Sequence, residues 1–172
     1  MRFKGDAVEI RPQISAAQAI CSRYGAQLVV NDHWQAALDL GATFIHLGQE
    51  DLDSADMAAI ARSGVCVGIS THDRAELDRA LALRPTYIAL GPIYPTQLKQ
   101  MPWRPQGLEK LKRWKARIGD IPLVAIGGLT PTLLPAVFAA GADVAAVVTD
   151  LVTAANPEEQ TRLWIKATEV AG

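Results

Sequence analysis

A strict alternation of short apolar, β-rich runs with helical stretches constrains this chain more than any other feature. The apolar runs fall at residues 27–30, 43–46, 65–69, 86–90, 122–126 and 144–148. Helical patterns lie between them at residues 16–24, 34–39, 54–62, 74–83, 107–117 and 131–139, with a last one at 157–170. Ser54, Asp73 and the Thr130-Pro131 pair stand where helix starts want a side-chain acceptor or a proline in the first turn. Near-continuous apolar strands separated by helices predict a parallel sheet covered on both faces.

Doubly wound and barrel arrangements both satisfy that alternation. No glycine-rich dinucleotide fingerprint follows the first apolar run, and polar residues follow nearly every run. The expected fold is therefore α/β, a (β/α)8 TIM barrel. With a further short run at residues 2–4, the strands still fall short of eight. The chain thus reads as incomplete at its amino end by about 35–45 residues of a typical barrel. At 172 residues it reads as a single domain spanning residues 1–172.

Lys and Arg number 17 against 18 Asp and Glu, a net charge of −1, so any anion site must be local. Nucleic acid and membrane surfaces are not expected partners. Cys21 and Cys66 lack companions at metal-ligand spacing and read as reduced thiols. No apolar run of 18 residues and no signal peptide occurs, and the expected location is cytoplasmic.

Chemistry-bearing residues collect after the strands. Asn31-Asp32-His33-Trp34 follows the first run, Gln49-Glu50-Asp51 the second, and Ser70-Thr71-His72 the third. After residues 86–90 comes a loop in which Pro92, Pro95, Pro102 and Pro105 exclude helix and sheet, and which carries Thr96, Lys99 and Arg104. A hydroxyl, cations and backbone N–H groups there suit phosphate oxygens; an ordinary proline-rich surface loop is the plainer alternative. Asp32 and Asp51 could share Mg2+ with a diphosphate, or each could simply cap the following helix. Gly127-Gly128 allows close backbone approach to phosphate, or a tight turn. His46 reads as a hydrogen-bonded strand residue and His33 and His72 as solvated, with no Ser/His/Asp constellation.

Taken together, Val29-Val-Asn-Asp32, Ile45-His-Leu-Gly-Gln-Glu-Asp51, Gly68-Ile-Ser-Thr-His72, Ala89-Leu-Gly-Pro-Ile-Tyr-Pro-Thr96 with Lys99, and Ala125-Ile-Gly-Gly128 resemble the thiamin-phosphate synthase family. Five ordered motifs spanning essentially the whole chain are far more specific than any one. The resemblance implies a transferase that joins hydroxymethylpyrimidine diphosphate to thiazole phosphate, releasing pyrophosphate. It implies that Asp32 and Asp51 ligate Mg2+ and that Asn31 and Ser70 hold the pyrimidine diphosphate. Thr96, Gly128 and the backbone near Val148-Thr149 would hold the thiazole phosphate. Lys99, Arg2 and Lys4 would face the diphosphate, with Ser70, in the catalytic group. The resemblance also allows a homodimer.

The chain departs from the family pattern in three places. Leu98 stands where a second hydroxyl is usual, Thr149 where Ser is common, and the family's first strand, first helix and the Gln before Arg2 are absent. Two rivals follow. A thiazole tautomerase-like relative would want a histidine near the Ser70 position. An amino-terminally truncated remnant would bind without turnover, and the carboxyl-terminal part of a longer or fused enzyme is the other form of that alternative.

Overall fold

The structure, a computed structural model, describes residues 7–96 and 103–169. It begins with helix α1, Ala7–Arg23, which starts nine residues before the expected position and runs through Pro12. Proline there removes one backbone bond. Ile10 and Ile14, four residues apart and 2% and 0% exposed, bury one face of the helix and offset that loss.

Strand β1 (Val30–Asn31), helix α2 (Trp34–Asp39), strand β2 (Phe44–Leu47), helices α3 (Gln49–Ser54) and α4 (Met57–Ser63), and strand β3 (Cys66–Thr71) follow in order. Helix α3 was not expected. Ser54 ends it rather than capping the next helix, and the α4 cap is Asp56, whose carboxylate accepts from the Ala59 amide at 2.8 Å. Then come α5 (Arg74–Ala82), β4 (Tyr87–Leu90), α6 (Gly107–Ile118), β5 (Leu123–Ile126), a 3-10 turn (Pro131–Leu133), α7 (Leu134–Ala139), β6 (Val144–Ala146), α8 (Thr149–Val152) and α9 (Pro157–Glu169). Asp73 caps α5 as expected, accepting from the Glu76 amide at 2.9 Å.

Two compact units emerge. The described residues up to Ser70, with Arg84–Thr86, form one; Thr71–Leu83 and the described residues from Tyr87 onward form the other. In the first, β1, β2 and β3 pair in parallel and in chain order, with Val30 opposite Ile45 and Ile45 opposite Val67. In the second, β4, β5 and β6 do the same, with Ala89 opposite Val124 and Ala125 opposite Ala145. The expectation of an α/β chain with parallel strands in sequence order holds. Six strands among the described residues are two fewer than an eight-stranded barrel requires. The run expected at residues 2–4 lies outside the described residues.

Each unit has its own core. Ile45, Leu47 and Ile69 in the first unit are 0% exposed, as are Ile88, Leu90, Leu123 and Ala125 in the second. Helix α6 buries Leu111, Trp114 and Ile118, a helical stripe at i, i+3 and i+7. Thr71 is fully buried, yet its hydroxyl accepts from Trp114 Nε1 at 2.9 Å and donates to the Ala89 carbonyl at 3.0 Å. That satisfies a polar group that would otherwise be costly.

Candidate functional site

In the first unit the strand pleat sorts the residues. Ile45 and Leu47 of β2, and Ile69 of β3, turn into the core. His46, between the first two, and Ser70, after the third, must therefore share the opposite face. His46 sits opposite Gly68 in the register, one pleat repeat before Ser70. The result is a contact of 2.8 Å between His46 Nε2 and the Ser70 hydroxyl oxygen. Gln49 Nε2, from the start of α3, donates to the Ser70 carbonyl at 2.8 Å, so both polar ends of Ser70 are tied to β2 and its following helix.

Burial is the largest influence on His46 and lowers its pKa to about 4, while the Asp51 carboxylate acts in the opposite sense. The imidazole is thus neutral near pH 7. His46 is the hydrogen-bonded strand residue that the sequence leads one to expect, and its Ser70 partner is the part not expected. The period-2 alternation of Ile45, His46 and Leu47 was the available signal, since it turns a polar side chain away from the core.

Asp32 and Asp51 occupy different local settings. The Asp32 amide donates to the His46 carbonyl at 3.0 Å, which extends the β1–β2 ladder by one residue. The residue then adopts φ +66, a left-handed conformation uncommon outside glycine and one that Asp tolerates better than most side chains. The residue before α2 is His33, so Asp32 is not that helix's cap. Asp51 does carry a capping contact. Its Oδ2 accepts from the Gly48 amide at 2.7 Å, reaching back from the third position of α3. The capping alternative is therefore real for Asp51, and it uses one carboxylate oxygen. Asn31, Asp32, His46, Gln49, Asp51 and Ser70 are all half-buried. In the first unit Asn31 stands opposite His46, and His46 and Gln49 both bond Ser70.

Thr96, Gly128 and Val148-Thr149, the residues expected at the thiazole phosphate, lie in the second unit. Beyond β4, the Ile93 and Tyr94 amides donate to the carbonyls of Ile126 and Gly127 at 2.9 and 3.0 Å. The Gln106 and Gly107 amides return to the carbonyls of Pro92 and Ile93 at 2.7 and 3.0 Å. The loop is thereby fastened along the end of β5 on its way to the half-buried Thr96. Gly128, at φ +67, is required by this fastening, because a Cβ there would lie 2.5 Å from the Pro95 carbonyl oxygen. Gly128 and Thr96 are consequently brought close through Pro95. Val148 is half exposed, and Thr149 opens α8.

Lys99, Arg2 and Lys4 lie outside the described residues, as does Leu98. His72, expected to be solvated, is half-buried. Its Nδ1 lies 2.9 Å from Glu76 Oε2, and its ring stacks on Trp103 with centroids 5.2 Å apart and planes 5° from parallel. Among the described residues, no group of three or more His, Cys, Asp or Glu side chains is placed to hold a metal ion. Among them too, no helix is long and apolar enough to cross a membrane.

Known proteins agree with the motif reading. Residues 1–151 match the sequence model of a family described as thiamine monophosphate synthase. The chain is 54% identical over 159 residues to the thiamine-phosphate synthase of Rhizobium etli, covering 92% of this chain and 78% of that protein. It is 49% identical over 150 residues to the corresponding protein of Neisseria meningitidis serogroup B, covering 87% and 73%. The solved thiamine phosphate pyrophosphorylase from Pyrococcus furiosus superposes with a TM-score of 0.85 at 26% identity, covering 99% of this chain and 82% of that one. Identity near one half over most of both chains, with the ordered strand-end motifs described above, bears out the resemblance and the enzyme class it implied: this chain belongs to the thiamine monophosphate synthase family.

Proposed function

We propose that the chain joins hydroxymethylpyrimidine diphosphate to thiazole phosphate, releasing pyrophosphate and leaving thiamin phosphate. The observation that carries this reading is the grouping of Asn31, Asp32, His46, Asp51 and Ser70 at the ends of three parallel strands in one unit. Membership of the family supports the same reaction.

The donor set supports Mg2+ at Asp32 and Asp51. Both are hard oxygen ligands, and the Asp51 capping contact engages only Oδ2. Among the described residues no group of three or more His, Cys, Asp or Glu side chains is placed to hold a metal, so phosphate and water oxygens would complete the shell. When bound, the ion supplies positive charge against the departing diphosphate.

The chain's own residues do the rest. Asn31 and the Ser70 hydroxyl orient the pyrimidine diphosphate, and His46 fixes the rotamer of that hydroxyl. Lys99, Arg2 and Lys4 contact the diphosphate and stabilise the charge that builds as it leaves. Thr96, Gly128 and the Val148-Thr149 backbone hold the thiazole phosphate, whose ring nitrogen attacks the electron-poor CH2 carbon that the electron-rich pyrimidine stabilises as diphosphate departs. That nitrogen attacks through a lone pair and carries no proton, so the dissociative path needs no general base. With its pKa lowered to about 4, the His46 imidazole is a weak base, and Ser70 stands where the tautomerase-like alternative would want a histidine.

The same reading takes the chain as a (β/α)8 barrel, a cytoplasmic protein and a homodimer. Its test is thiamin phosphate and pyrophosphate formation by the purified chain with both substrates and Mg2+. Turnover of both products in equal amounts is expected. Thiazole isomerisation without pyrophosphate release would replace the reading with the tautomerase one.

A further inference from the structure

Helix α9, Pro157–Glu169, lies beyond the residues that match the family's sequence model, which end at 151. It nevertheless packs against two segments at once: the 3-10 turn Pro131–Leu133, which follows Gly128, and α8, which begins at Thr149. Those are the segments downstream of the two backbone stretches assigned above to the thiazole phosphate.

The contact with α8 is specific. Trp164 is 6% exposed, while its neighbours Leu163 and Ile165 are 50% and 54% exposed, so the indole alone of the three turns inward. Its Nε1 donates to Asp150 Oδ2 at 2.7 Å, and Gln160 Nε2, one helical turn earlier, donates to the same oxygen at 2.6 Å. Asp150 directly follows Thr149. A carboxylate beside a phosphate dianion is electrostatically unfavourable unless it is turned away and held by donors. The two α9 donors do both.

We propose that Trp164 and Gln160 are positioning residues for the thiazole phosphate. By holding Asp150 on α9, they fix the first turn of α8 and so the direction of the Val148-Thr149 backbone amides. The proposal rests on the assignment of that backbone to the thiazole phosphate.

The test uses the full 172-residue chain with three variants. Trp164→Phe keeps the ring and loses the donor, Gln160→Met loses the second donor, and Asp150→Asn keeps an acceptor oxygen and loses the charge. Steady-state KM is measured for each substrate, with a calorimetric Kd for thiazole phosphate alone and a melting temperature. Trp164→Phe and Gln160→Met are each expected to weaken thiazole phosphate, in both KM and Kd, by about five- to tenfold. KM for the pyrimidine diphosphate stays unchanged in both, and Asp150→Asn, which keeps an acceptor oxygen for the two α9 donors, weakens thiazole phosphate less than either. A lower melting temperature with an unchanged Kd, or equal rises in both KM values, overturns the proposal. If the parent binds thiazole phosphate without turnover, the Kd comparison still decides the proposal while the proposed reaction fails. A parent that neither turns over nor binds thiazole phosphate overturns both.

Discussion

His46 Nε2 lies 2.8 Å from the Ser70 hydroxyl oxygen, joining two adjacent parallel strands at the ends where the candidate chemistry sits. Burial holds this imidazole neutral, with its pKa lowered from 6.5 to about 4. A histidine that charges readily when unfolded and reluctantly when folded makes the unfolded chain the stronger proton binder in acid. Its contribution to stability is complete above pH 6.5 and is lost progressively as pH falls towards about 4. The expected loss from this one group is about 3 kcal/mol below pH 4. Imidazole NMR titration of the metal-free protein checks the pKa, and denaturant melts at pH 7 and pH 5 check the sign. A His46 resonance that titrates near 6.5 contradicts the burial argument.

Asp51 has two duties that substitutions can separate. Asp51→Ala removes the acceptor for the Gly48 amide, at a cost of about 1 kcal/mol, as well as the proposed metal contact. Asp51→Asn keeps an acceptor oxygen for that amide and removes the charge. It is expected to melt like the parent while losing Mg2+-dependent turnover by about a hundredfold or more. Full activity of Asp51→Asn at limiting Mg2+ would remove Asp51 from the metal assignment. Asp32→Ala, at a residue that is not the N-cap of α2, is expected to abolish Mg2+-dependent turnover with the fold retained.

Gly128→Ala places a Cβ 2.5 Å from the Pro95 carbonyl oxygen at a left-handed φ of +67. The two penalties together are expected to destabilise the protein on the order of 3 kcal/mol. Because the fastening between β5 and the loop to Thr96 must shift, thiazole phosphate binding should weaken as well. Thermal melts and calorimetric binding by the variant read the two effects separately. A variant that melts at the parent temperature contradicts the close approach.

Lys99→Ala is expected to raise KM for the pyrimidine diphosphate about tenfold or more, with the melting temperature unchanged. A fall in melting temperature without a kinetic effect would assign Lys99 to the fold instead.

The sequence by itself determined the class of fold, because a run of buried parallel strands must be nearly continuous in apolar residues and must be separated by helices. It also determined which residues stand near the strand ends, since Asn31, Asp32, Ser70 and Gly128 fall within two residues of the ends of their strands and Thr96 lies in the loop after β4. Local signals were weaker where they competed. The first helix was expected at residues 16–24, but burial of Ile10 and Ile14 carries α1 back to Ala7. Ser54 looked like a cap and instead ends α3.

Only the tertiary structure decided which side chains meet. The pairing of His46 with Ser70 spans 24 residues and depends on the β2–β3 register, which periodicity alone cannot supply. The need for glycine at 128 depends on the loop backbone lying against it, and the hold of Trp164 on Asp150 depends on how α9 packs. Each is a contact between residues distant in sequence or carried on separate elements. Its geometry is fixed by burial and strand register rather than by the propensity of any residue involved.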